Sequence, residues 1–154
     1  MLAAASPRDR ADGAASELGA AAAHAGARVL VVRSDVDQVG IPHPSSNGSN
    51  GPSVTTIPLP LAADALNGLA ALANGRGQYD LAIVSVPSPE NSAAALSVAG
   101  TANVVMLVAT ARKTRYSEAR RTAELLRHSG AELAGSIFES KRPAPPSEGP
   151  PRTP

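Results

Sequence analysis

The chain has 154 residues, a size that suits one domain with a real core, and 43% of them are hydrophobic. Its 14 basic and 13 acidic residues leave a formal net charge of +1, which gives no electrostatic case for a nucleic-acid partner. The absence of cysteine excludes disulfides and thiolate metal sites, and no run approaches the ~20 apolar residues that cross a bilayer. Trp is absent and only two Tyr and one Phe occur, so Ala, Val and Leu must fill the interior.

Residues 2–5 form a short apolar run that leads into the loop Ser6-Pro7-Arg8-Asp9-Arg10-Ala11-Asp12-Gly13. No basic segment precedes an apolar core here, so the N-terminus does not read as a signal peptide. Residues 13–25 are Ala-rich and predict a helix with Asp12 as its N-cap and Gly26 as its stop. The run 28–32 predicts a strand buried on both faces. Residues 40–53, rich in Ser, Asn, Gly and Pro, read as a flexible loop.

A short strand is expected over 54–59. A helix follows over 61–74, with Leu61, Leu66, Leu69 and Leu72 spaced for one face. Residues 79–86 are the clearest buried strand. A short helix over 92–99, a strand over 103–109, an amphipathic helix over 116–128 and a last strand over 133–138 complete the folded part. Strands alternating with helices predict an α/β fold, a three-layer αβα arrangement around a mostly parallel sheet. Residues 1–140 make one domain. Residues 141–154 carry six prolines and read as a disordered tail, a spacer or a proline-motif docking segment.

The apolar entry into residues 6–13, the exit Ala25-Gly26-Ala27-Arg28-Val29-Leu30-Val31-Val32 and the segment Tyr79-Asp80-Leu81-Ala82-Ile83-Val84 with Pro87 together resemble the deviant-Walker P-loop ATPases. This superfamily includes the ParA/MinD group and the bacterial tyrosine kinases (BY-kinases) of capsule and exopolysaccharide assembly. The tyrosine-kinase branch is the nearer likeness, and the similarity spans about residues 2–140. It implies a P-loop NTPase-like, Rossmann-like sheet, ATP with Mg²⁺ in the parent family, and subunits that meet at nucleotide sites.

The departures fall on the chemistry. A P-loop needs glycines whose N–H groups cradle phosphate, a lysine for the terminal phosphates and a hydroxyl for Mg²⁺. Here the first lysine in the chain is Lys113, and the loop offers Arg8, Asp9, Arg10 and Asp12 with one glycine. Arg33 and Asp35 stand where the family has Asp-x-Asp, Ser85 where it has the Walker B aspartate, and Glu139 where its Asn meets adenine. A carboxylate at the helix start repels an incoming anion. These eight residues therefore describe a degenerate nucleotide site, with ATP and Mg²⁺ binding lost, no catalytic residue and no metal site.

Arg8, Arg10 and Arg33 either converge with Asp9, Asp12 and Asp35 as a salt-bridge cluster in place of nucleotide or remain loose surface charges. Arg112, Lys113, Arg115, Arg120 and Arg121 form the one basic cluster, a patch for an acidic partner or anionic lipid, or simply a solvated helix face. The expectation is a cytoplasmic, catalytically inactive interaction or assembly module in polysaccharide export. Its partner would be a protein, a second copy, or a membrane component of that export machinery. The alternatives are an active ATPase or tyrosine kinase using Arg8 or Arg10 in place of lysine, and a ParA/MinD-like positioning protein.

Overall fold

A computed structural model describes residues 1–33, 53–58 and 78–140. The expected helix over 61–74, the loop over 40–53 and the tail over 141–154 lie outside these residues, as does Asp35. Six strands form one parallel sheet: β1 (Leu2–Ala4), β2 (Val29–Arg33), β3 (Val54–Pro58), β4 (Leu81–Val86), β5 (Val105–Thr110) and β6 (Leu133–Glu139). Their spatial order is β3-β2-β4-β1-β5-β6, with every neighbouring pair parallel. The helices described are α1 (Asp12–His24), α2 (Ala93–Ala99) and α3 (Tyr116–His128).

The inner strands β1, β2 and β5 read as largely apolar runs because the sheet there is covered on both faces, whereas β6 at the edge alternates half-buried and exposed residues. Val29, Val31, Leu2, Ile83 and Val108 point to the face packed by Ala11, Ala14, Ala15 and Ala23 of the α1 segment. Val105, Leu107, Ala109, Ala3 and Val86 point to the other, beneath Ala95 and Val98 of α2 and Ala123 and Leu126 of α3. Each fully buried Val or Leu contributes about 1.5–3 kcal/mol, and small alanines let helices and sheet approach closely. Gly19 takes this furthest. A Cβ on it would stand 2.7 Å from Val31 Cγ2, so α1 lies against β2 at a distance only glycine permits.

Both long helices end in the same way. Gly26 and Gly130 hold positive φ, +98° and +83°. The N–H of Ala27 reaches the carbonyl of Ala22, and that of Ala131 reaches Leu126, closing a Schellman turn on each helix. At its start α3 is secured by the Glu118 carboxylate, which accepts from the Arg115 backbone N–H at 3.1 Å. Thr122, fully buried, donates its hydroxyl to the Ala5 carbonyl at 3.0 Å and ties α3 to the exit of β1.

Two expectations need correction. Tyr79 and Asp80 precede β4, which begins at Leu81. Asp12 is not the N-cap of α1. Ala11 holds that position and makes no side-chain cap bond, while Asp12 is the first helical residue with its carboxylate turned elsewhere. The pull comes from the Ser85 hydroxyl, which donates to that carboxylate, with Arg33 adding a longer-range attraction at 3.8 Å.

Candidate functional site, the corner at the start of α1

In a parallel sheet the carboxyl ends of the strands and the loop entering the first helix form the natural ligand corner. Arg33 at the end of β2, Ser85 near the end of β4, the loop after β1 and Glu139 at the end of β6 all meet there. Ser85 is fully buried, and its hydroxyl donates to Asp12 Oδ1 at 2.5 Å, with the Val32 carbonyl at 3.4 Å the weaker alternative for the same proton. A short O–H···O⁻ contact of this kind is charge-assisted. Arg33 Nε stands 3.8 Å from the same Asp12 oxygen. A serine, a carboxylate and a guanidinium thus close on one another, bridging β4, α1 and β2.

A second carboxylate does parallel work beside it. Asp9 is 6% exposed and receives hydrogen bonds from the Ser6 hydroxyl at 3.0 Å and the Thr114 hydroxyl at 2.7 Å. Thr114 in turn accepts the Thr110 N–H at 2.8 Å, so the loop after β1 is fastened to the turn after β5. Asp9 Oδ1 is buried with no hydrogen-bond partner among the described residues. Glu139 supplies a third carboxylate: its Oε1 would lie 3.1 Å from a Cβ on Gly13, over the first turn of α1. Gly13 leaves room for that approach, and the helix N-terminus favours the negative charge.

Beyond this corner a groove of about 950 Å³ runs between α1 and β6. Arg8, Arg10 and Lys113 line it together with Glu17, Glu139 and Phe138. Arg8 and Arg10 therefore share a surface with Lys113, while Arg33 belongs to the Asp12–Ser85 cluster and not to this lining. The basic cluster expected from sequence is divided in space. Lys113 faces the α1 groove. Arg115 and Arg120 face the opposite side of β6, together with Arg127. Arg121 pairs with Glu90 at 3.4 Å, and Arg112 holds a left-handed backbone at φ 66° in the turn after β5.

Sequence reasoning missed Thr114 and Arg127. Thr114 lies 105 residues from Asp9 in the chain, and only the adjacency of β1 and β5 brings them together. Arg127 is one turn and a half beyond the cluster that was singled out, on the same helix. Among the described residues no group of three or more His, Asp or Glu could hold a metal ion, and no helix is long and apolar enough to cross a membrane.

Among the described residues, those at this corner do not match the donor set that ATP with Mg²⁺ requires. The loop before α1 has no lysine, the Glu139 carboxylate lies over Gly13, the Asp12 carboxylate is bonded to Ser85, and Ser85 itself brings no charge for a metal shell.

The architecture is the three-layer αβα fold of the deviant P-loop ATPases. Among proteins of that fold, the chain is similar in structure to bacterial tyrosine-kinase domains. It matches the BceF tyrosine kinase domain with a TM-score of 0.69 and 19% identity, over 90% of this chain and 67% of that one. The kinase domain of the Escherichia coli tyrosine kinase ETK matches with a TM-score of 0.67 and 20% identity, over 94% and 69%. The MinD cell division protein of Aquifex aeolicus gives 0.62 and 14% identity, over 90% and 67%. No family model matches the sequence, and no curated protein does.

Proposed function

We propose that this chain is a pseudo-ATPase, a degenerate relative of the tyrosine-kinase branch that serves as an interaction or assembly module. One observation carries the reading: the carboxylate of Asp12, the first residue of α1, is held by the buried Ser85 hydroxyl at 2.5 Å and faced by Arg33 at 3.8 Å, so the side chains at this corner are engaged with one another. Arginine and serine at positions 33 and 85 form the partners of a resident carboxylate, where the family's acidic residues would serve a metal and its nucleotide. The setting, a cytoplasmic module in exopolysaccharide or capsule export acting on a protein partner or a second copy, follows from the resemblance to the tyrosine-kinase branch.

A second reading, nucleotide binding with an unconventional cation, draws on the α1 groove, where Arg8, Arg10 and Lys113 gather. Against it stand Glu17 and Glu139 in the same lining, and the poor match of a planar guanidinium to a tight phosphate loop. Thermal unfolding with ATP and Mg²⁺ separates the two. A ligand at a hundred times its Kd stabilises by about 2.7 kcal/mol, a shift of several degrees in a domain of this size. We expect no shift; a saturable rise would overturn the pseudo-ATPase reading.

A further inference from the structure

A chain with only three aromatic residues exposes two of them on the rim of one groove. Tyr116 is 83% and Phe138 74% solvent-exposed, and both line a cleft of about 480 Å³ between α3 and β6, on the face of the sheet opposite α1. Its floor is apolar, made by Leu107, Ala109, Ala119, Ala123 and Leu133. Arg115, Arg120 and Arg127 rise from α3 and its cap along one wall, and no Asp or Glu among the described residues lines it. Arg120 is steadied through Nε by Glu124 at 2.9 Å, whereas Arg115 and Arg127 form no ion pair among the described residues.

The other wall is a sheet edge. β6 ends the strand order, and no described strand pairs with its outer side. After an irregularity at its start, opposite Val105 and Met106, it runs from Gly135 to Phe138 without proline or a charged residue, and Glu139 at its end is its one charge. A Cβ on Gly135 would meet nothing within 4 Å.

A strand edge unpaired among the described residues, an apolar floor, exposed aromatics and a wall of arginines together suit one kind of ligand. We propose that this groove docks an extended acidic segment of a partner protein. The segment adds as a strand beside β6, sets an apolar side chain on the floor against Phe138 and Tyr116, and places carboxylates on Arg115, Arg120 and Arg127. A lipid surface would satisfy the arginines but not the strand edge, and it is flat where this site is concave. The inference deepens the reading of the domain as an interaction module by naming the surface and the chemistry of its partner.

The test pans a display library of random twelve-residue peptides against the full chain, then measures the enriched peptides by fluorescence polarisation. Enriched sequences should carry two or more carboxylates near an apolar or aromatic anchor. Their Kd should rise at least tenfold on Phe138→Ser and on Arg127→Glu, both surface changes whose thermal melts should stay within a few degrees of the parent. Amide protons of residues 135–139 should gain exchange protection in the complex.

Failure to enrich, a neutral or lysine-rich pool, or affinity untouched by either variant would overturn the proposal. Self-association abolished by Phe138→Ser would give the groove to a second copy. Binding to phosphatidylglycerol vesicles that Arg127→Glu abolishes, with no peptide enriched, would give it to lipid. The ATP titration is independent of all these outcomes. A nucleotide response with intact peptide binding sinks only the pseudo-ATPase reading, and nucleotide silence with no peptide binding sinks only the docking site.

Discussion

The corner at the start of α1 and the groove beside α3 lie on opposite faces of one sheet and use charge in opposite ways. At the corner, Asp9 and Asp12 are committed to hydroxyl groups and a guanidinium that belong to the same chain, across strands that meet only in the fold. In the groove, arginines on α3 and two aromatics stand exposed around an apolar floor, with no acid among the lining. The first arrangement knits the domain together, and the second leaves interaction capacity at its surface.

The comparison is most exposed to removal of Asp9. Asp9→Ala would strip a charged acceptor from two hydroxyl donors, Ser6 and Thr114, and should destabilise by about 2 kcal/mol in urea unfolding. A neutral result would mean the corner is not structural. Asp12→Ala should lose less, about 1 kcal/mol, because its carboxylate is partly exposed and Arg33 is distant. Freed of that carboxylate, the helix start should also respond to inorganic phosphate with a larger rise in melting temperature than the parent shows. An equal response would remove the case for a resident anion.

The smallest effect belongs to the opposite end of the strands, where Arg28 and Asp80 pair at 2.8 Å. The Arg28 hydrogen bonds hold the Asp80 carboxyl down from the ordinary 3.8 to about 2. The folded value lies below the unfolded one, so the pair stabilises above about pH 4 and loses that contribution as pH falls toward 2. Both side chains are half-exposed, and solvent screens the gain. Asp80→Asn should therefore shift the urea midpoint slightly at neutral pH and converge on the parent near pH 2; a constant difference would tell against the linkage.

Much of the fold was legible in the chain because both faces of the sheet are covered. Residues 28–32 and 103–109 read as strands from largely apolar runs and 133–138 as the last strand of the alternation, and each falls within one residue or two of β2, β5 and β6. The amphipathic run 116–128 coincides with α3. The corner was legible only as residue types. That Asp12 would face Ser85, 73 residues away, depends on β4 lying beside β1 and β2, and strand order leaves no local trace in the chain. The same holds for Thr114 on Asp9. Asp12 looked like a cap because capping is a local signal; its partners are distant and charge-assisted, and they prevail.

Gly19 carries one last consequence for that corner. A helix is a stiff rod that rises about 1.5 Å per residue, so Gly19 lies roughly 10 Å down α1 from Asp12. With a Cβ only 2.7 Å from Val31 Cγ2, any larger residue would act as a wedge and tilt the rod off the sheet. Gly19→Ala should therefore loosen the Asp12–Ser85 contact although neither residue has changed, a shift that the Ser85 and Asp12 chemical shifts would report. A single missing methyl group, two turns away, is the fulcrum on which the polar corner is set.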